Sequence, residues 1–394
     1  MRLTERILRI TESPTMAIAS KAGAMKAAGI DVIDFSAGEP DFPTPENIKQ
    51  KGMDSIRDNF TKYTPAAGIR KLREAVAARY TAKYGAAVRP EEVIMTTGGK
   101  QALFNLACCL VQSGDEVLIP EPYWVTLPDQ VRIADGVPVF VPTSAEENFA
   151  IHAEEVEKRV TPRTRVLILN TPCNPSGSVI GREVLSDLVD LCVRHDIQLI
   201  FDECYDCFVF PPYIHTSPMH FFPRGRDRTF IVNTFSKVYS MTGWRLGYAV
   251  GPQQVISACD KLQSHTTSNP CSISQMAAME ALQGDQSSID VMFGEYKKRR
   301  VLVLEALKAM PGIRCNEPQG AFYVFPDIRA HLNASTPDSV SLCKTLLEEC
   351  HVATVPGSAF GMEGYLRISY ATSAENLREG CRRIHEFLKK RTQV

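Results

Sequence analysis

Between residues 93 and 250 the chain repeats one pattern: a short, almost continuously apolar run, then a stretch of helical spacing, then another run. The runs fall at 93–97, 116–120, 137–141, 166–170, 199–201, 230–233 and 246–250. Runs of this length without polar alternation belong to parallel strands buried on both faces. The stretches between them, 100–112 and 183–194 among them, predict crossover helices. The expectation is an α/β fold, a mostly parallel seven-stranded sheet between helices. Ligands of such sheets gather outside the carboxyl ends of the strands. The polar residues there become candidates: Gly98, Gly99, Lys100, Asn174, Asp202 and Lys237.

The flanks read differently. Residues 16–28 carry a helical pattern closed by Gly29, 32–37 read as a strand, and Gly38 to Pro45 form a proline-rich loop. A helix is expected over 70–84, stopping at Gly85. After residue 290 come a long charged helix over 293–309, an apolar run over 320–325, a further run over 365–370 and a terminal helix near 375–390. These define a smaller α+β domain completed by the N-terminal segment. The boundaries expected are 1–45 and 291–394 for the small domain and 46–290 for the large one.

Composition excludes several classes. With 44% hydrophobic and 23% charged residues the chain is globular, and its 394 residues call for more than one small domain. A net charge of −1 gives no reason to expect nucleic acid or a membrane surface as partner. No apolar run approaches the ~18 residues that span a bilayer. The start, Met1 to Arg6, lacks a secretory pattern, and Glu5 and Glu12 argue against a transit peptide, so a cytoplasmic location is expected. Twelve cysteines without a spaced framework read as reduced thiols. Cys204 and Cys207 form a lone C-x-x-C with no further ligands at zinc spacing, and no metal is expected.

The chemistry concentrates in Thr234-Phe-Ser236-Lys237, followed by Gly243-Trp-Arg245-Leu-Gly-Tyr248. A lysine flanked by two hydroxyls, with an arginine eight residues on, suits an aldehyde that carries a phosphate. The amine can bond the aldehyde, and the hydroxyls and guanidinium can hold the phosphate. Pyridoxal phosphate is such an aldehyde. Gly98-Gly99, between a strand and a helix, adds backbone N–H groups of the kind that bind phosphate. Asp202 ends an apolar run, where a carboxylate is costly unless paired. Arg367 interrupts another such run and needs an anion.

The whole resembles the class I, fold-type I, pyridoxal-phosphate-dependent aminotransferases, with motifs in the family's order from Gly38 to Arg367. The resemblance implies that Lys237 bonds the cofactor and moves the substrate proton. It implies that Asp202 keeps the cofactor ring nitrogen protonated and that Tyr205 donates to the ring oxygen. Asn174 would meet the same oxygen and orient the substrate. Trp124, with Tyr123 as the alternative, would stack on the ring. Gly99, Thr234, Ser236 and Arg245 would hold the phosphate, together with Tyr63 reaching from the partner of a homodimer with shared sites. Gly38 and Arg367 would receive the substrate α-carboxylate. The reaction implied is ping-pong transfer of an amino group between an amino acid and a 2-oxo acid.

Substrate choice rests on fewer residues. Lys100 stands at a helix start, where the helix dipole disfavours a cation, and that cost suggests use. Gly98-Gly-Lys-Gln-Ala-Leu-Phe-Asn105 resembles the bacterial-type aspartate aminotransferase subgroup, in which this lysine meets the side-chain carboxylate of acidic substrates. Ser13 and Thr15 match hydroxyl residues near the same carboxylate. A phosphate contact is the other reading of Lys100. The rivals are an aromatic or prephenate aminotransferase and a lyase of the same fold. A cofactor-binding transcription regulator would need a DNA-binding module ahead of the body that already includes Gly38, and is not expected.

Overall fold

The computed structural model describes residues 2–10, 14–222 and 224–391. Its strands are β1 Ile33–Asp34, β2 Val93–Thr96, β3 Glu116–Pro120, β4 Val137–Val141, β5 Thr164–Asn170 and β6 Gln198–Asp202. Then come β7 Thr229–Thr234, β8 Gly247–Val250, β9 Tyr323–Val324, β10 Val352–Ala353, β11 Val355–Pro356 and β12 Leu366–Ser369. Seven of them form one sheet in the order β2-β8-β7-β6-β5-β3-β4. β8 runs antiparallel to both neighbours, and the other pairings are parallel. Ile94, Val117, Val166, Ile200 and Phe230 pack under one face of this sheet, and Leu118, Leu167, Leu199, Phe201 and Ile231 under the other. Both faces are therefore dry, which is why these strands read as unbroken apolar runs.

A second apolar core joins the chain's two ends. β1 pairs in parallel with β10, and Ile33 and Phe35 pack with Tyr296, Leu342, Ile368 and Leu377. β12 lies between β11 and β9, antiparallel to both, and places Arg367 on the side of the large sheet's strand ends. No helix among the described residues is long and apolar enough to cross a membrane. All twelve cysteines are free, Cys204 and Cys207 included.

Two boundaries differ from the sequence reading. The strand expected over 32–37 shrinks to Ile33–Asp34. The Asp34 carboxylate takes the Ser36 N–H at 2.9 Å, and the Ser36 carbonyl accepts from Arg367 at 2.6 Å. The Phe35 N–H still reaches the Ala353 carbonyl at 2.8 Å, but the Phe35 carbonyl, which would carry the ladder on, accepts the Ser369 N–H of β12 at 2.9 Å. The charged helix expected from 293 begins at Ser287, where the Asp285 carboxylate accepts the Ser287 N–H at 3.0 Å. That starts the helix one and a half turns before its charged stretch.

Candidate active site

The strand order brings five carboxyl ends to one edge. β5 ends at Asn170, β6 at Asp202 and β7 at Thr234, while β2 and β3 lead to Gly98-Gly99-Lys100 and to Trp124. β8 runs the other way, so its entry places Arg245 at the same edge. Above this edge lies a cavity of about 300 Å³, closed from the far side by Thr15, Gly38 and Arg367. Among the described residues Lys100, Lys237, Arg245 and Arg367 line it as cations, against a single carboxylate, Asp202. An excess of positive charge in a desolvated cleft is a receptor for anions.

Gly98 shows how the local backbone serves the site. It caps the helix Gly99–Leu110 with φ +80°, and a Cβ there would lie 2.5 Å from an Arg245 guanidinium nitrogen. Only glycine leaves room for the arginine beside the free N–H groups of the helix start. Arg245 is itself left-handed, φ +51°, and donates to the Thr242 carbonyl at 2.9 Å. Beside them the Thr234 hydroxyl accepts from Ser236 N–H at 3.2 Å. Hydroxyls, guanidinium and helix terminus converge on one corner.

In the middle of the cavity Lys237 donates from Nζ to the Gly38 carbonyl. Burial, joined by the Arg367 and Arg245 charges, holds this ammonium below the usual lysine range. Asp202 is raised to about 6 from an ordinary 3.8, again by burial, and accepts the Cys204 N–H at 3.1 Å. The shift amounts to about 3 kcal/mol. One or two fully buried aliphatic side chains offset it, at about 1.5–3 kcal/mol each. The folded-state value is the raised one, so the cost develops as pH rises from about 4 to about 6 and stands in full above. Asn170 ties the neighbouring strand ends together, donating to the Asp202 carbonyl at 3.3 Å and accepting Asn174 N–H at 2.9 Å.

Arg367 is 2% exposed. It donates to Asn174 Oδ1 at 3.1 Å and to the Ser36 carbonyl at 2.6 Å, and its guanidinium lies 4.7 Å from the Tyr323 ring centre and 5.1 Å from that of Phe360. Among the described residues its Nε has no hydrogen-bond partner and no carboxylate pairs with it. Burial lowers its affinity for its proton. On the same cavity Lys100 sits over Trp124, Nζ 5.1 Å from the ring centre. Partial desolvation and then the Arg245 charge lower its pKa.

Thirteen of the fourteen sequence candidates line this one cavity: Thr15, Gly38, Gly99, Lys100, Trp124, Asn174, Asp202, Tyr205, Thr234, Ser236, Lys237, Arg245 and Arg367. The fourteenth, Tyr63, does not; it is 91% exposed on its own chain. Trp124 takes the cavity wall, whereas Tyr123 turns away to stack on Phe140 at 5.0 Å. Thr15 Oγ1 is buried without a hydrogen-bond partner among the described residues, and Ser13 lies outside them. The sequence reading missed Asn170, Cys204 and Tyr323. Asn170 was open to the rule that found Asp202, a polar residue ending an apolar strand. Tyr323 carries a hydroxyl in an apolar run, and a buried hydroxyl asks for a partner. The part of the Ser36 carbonyl had no side-chain signal.

The fold and this constellation define an aminotransferase. Residues 30–384 match the family aminotransferase class I and II, and the chain belongs to it. It is 42% identical to the probable aspartate/prephenate aminotransferase of Aquifex aeolicus, with 98% of each chain covered. It is 41% identical to the aspartate aminotransferase of Geobacillus stearothermophilus, over 99% of this chain and all of that one. Among solved structures it superposes on the Thermus thermophilus aspartate aminotransferase with maleate, at TM-score 0.93 and 42% identity, over 98% of this chain and all of the other. The Rhizobium meliloti aspartate aminotransferase gives TM-score 0.94 at 40% identity, with 99% of each covered.

Proposed function

We propose that this aminotransferase works with pyridoxal 5'-phosphate and prefers aspartate and glutamate as amino donors. One observation carries the reading: two cationic side chains held by different partners, Arg367 beside Asn174 and the Ser36 carbonyl and Lys100 over Trp124, line the one cavity that Lys237 also lines. A dicarboxylic amino acid has an anion for each. That the Thermus thermophilus relative is a complex with maleate, a dicarboxylate, agrees with it.

The residues fit the cofactor. Asp202 is a buried carboxylate that meets the backbone N–H and the thiol of Cys204 but no cation in a close ion pair among the described residues, so a ring N–H⁺ facing it would lift the desolvation cost. The corner of Gly98, Gly99, Thr234, Ser236 and Arg245 offers the donors a phosphate needs. When bound, pyridoxal phosphate supplies an electron sink for negative charge developing on a substrate α-carbon. Lys237 would take the proton from that carbon and hold it at Nζ for its return, and its lowered pKa keeps the neutral amine accessible. Arg367 grips the α-carboxylate and Asn174 orients it. Tyr205 would donate to the cofactor's ring oxygen, and Trp124 would cover its ring.

Residues 46–290 are read as the cofactor-holding domain, and 1–45 with 291–394 as the small domain that brings Arg367, because the second apolar core joins the two chain ends. The active unit is read as a cytoplasmic homodimer in which the partner's copy of Tyr63 completes each phosphate corner. Exposure of 91% on a ring so near the turn into the helix Arg70–Tyr84 supports that role. Tyr63→Phe and Lys237→Ala proteins, mixed under subunit exchange, should recover one intact site per heterodimer. Proven heterodimers without recovered activity would remove the shared site.

Lys100 decides the substrate question. A charge-assisted hydrogen bond contributes about 1.5–3 kcal/mol, which at the transition state is roughly 10- to 150-fold in kcat/KM. Lys100→Ala should therefore lower kcat/KM for aspartate by that factor and leave phenylalanine nearly unchanged, at saturating cofactor. Equal losses for both would mean that Lys100 serves the phosphate corner. Several relatives, that of Aquifex aeolicus among them, carry aspartate/prephenate in their names, so prephenate belongs in the same oxo-acid panel.

A further inference from the structure

Tyr323 stands one layer behind the cavity wall, at the meeting point of three wall residues. It is fully buried. Its hydroxyl lies 2.9 Å from that of Tyr205, and the two rings meet edge to face at 5.8 Å. Its ring covers the Arg367 guanidinium at 4.7 Å. A Cβ on Gly38 would come within 3.3 Å of its hydroxyl, so glycine there lets the loop pass while the Gly38 carbonyl receives Lys237. β9 carries Tyr323 and pairs with β12, which carries Arg367, so the tyrosine belongs to the smaller core and reaches across to Tyr205 in the turn after β6.

Two phenol groups at 2.9 Å share one hydrogen bond, and only one of them can be its donor. Burial raises both phenols, Tyr205 well above its ordinary value and Tyr323 to about 12, so each keeps its hydrogen near neutrality. If Tyr205 donated to Tyr323, the Tyr323 hydrogen would need an acceptor away from the cavity, and among the described residues the hydroxyl bonds to Tyr205. The reverse arrangement wastes nothing: Tyr323 donates to Tyr205, and the Tyr205 hydrogen points into the cavity that Tyr205 lines. A hydroxyl that accepts one bond is also the stronger donor of the next.

We infer that Tyr323 is a positioning residue: its hydroxyl donates to Tyr205 and so turns the Tyr205 hydrogen toward the ring oxygen of the cofactor. The inference rests on the cofactor reading above. It assigns Tyr323 a second effect through its ring, which packs on Arg367 and helps to fix the carboxylate fork.

The test is a pH titration of the visible absorbance of pyridoxal-phosphate-loaded protein. A donor to the ring oxygen favours its anionic form, so losing that donor raises the midpoint. Tyr205→Phe should raise the midpoint by about one to two pH units. Tyr323→Phe keeps the ring and removes only the hydroxyl; it should raise the midpoint by roughly 0.2–0.5 unit, the cooperative share of the Tyr205 bond. The double variant should match Tyr205→Phe alone, because Tyr323 acts through Tyr205. KM for aspartate should stay within about twofold in Tyr323→Phe while kcat falls, since the ring over Arg367 remains. An unmoved midpoint in Tyr323→Phe, with or without a lowered melting temperature, overturns the inference. So does a Tyr323→Phe shift that persists when Tyr205 is already phenylalanine. A loaded wild type with no visible band overturns the cofactor reading, and this inference with it.

Discussion

Lys237→Ala is expected to lose amino transfer by at least about 10²–10⁴-fold in kcat, the range over which a positioned acid–base group acts. The loss should appear with every amino donor, because the proton it moves is common to all of them. Borohydride treatment of the cofactor-loaded wild type should leave a pyridoxyl group on Lys237 alone, and the variant should carry none. A label on another lysine, or transfer that survives the substitution, would overturn the assignment. Stability should move the other way. Burial lowers the pKa of Lys237 in the folded chain, so its charged form costs stability wherever the unfolded chain keeps it protonated. That cost is present near neutrality and vanishes as pH rises through the ordinary lysine value of 10.5. The cofactor-free Lys237→Met protein, close to the same volume, should therefore melt no lower than wild type at pH 7. Its advantage should shrink toward pH 10.5, as read by thermal unfolding at the two pH values.

Arg367→Lys is expected to cost about 3 kcal/mol or more in transition-state binding, roughly 150-fold in kcat/KM. Lysine keeps a charge but not the planar fork, and the fork lets two parallel bonds reach one carboxylate. The present partners of Arg367, Asn174 and the Ser36 carbonyl, hold the guanidinium from two sides and fix its plane. Its buried Nε is without a partner, so donor capacity remains for a ligand. The loss should be the same for aspartate and phenylalanine, which separates this site from Lys100. A simple amine without a carboxylate should lose nothing. If that amine lost as much as the amino acids, Arg367 would be a structural cation rather than the carboxylate clamp.

Much of the large sheet could be read from the chain because its strands are dry on both faces. A strand such as β7 is buried at every position between two helical layers, so the apolar Phe230, Ile231 and Val232 announce its middle, and the polar Asn233 and Thr234 mark its end. The same logic made Asp202 conspicuous: a carboxylate ending such a run needs a reason. Lys237 and Arg245 could be recognised because their spacing along one local turn reflects a chemistry of amine plus phosphate. Local pattern therefore determined the sheet, its helices and the residues that stand at its strand ends.

What the chain alone could not decide depends on contacts between distant segments. The position of β8 between β2 and β7, antiparallel to both, brings Arg245 against Gly98, and no local pattern states a strand order. The short β1 ends because the Phe35 carbonyl takes the Ser369 N–H of the distant β12, and the next carbonyl, that of Ser36, goes to Arg367, 331 residues away. Tyr323 and Tyr205 are 118 residues apart, and nothing in either neighbourhood says that their hydroxyls meet. Such contacts are settled by how two separately packed cores close over one cavity. Residue periodicity records which face of an element is dry, and it carries no information about which other element dries it.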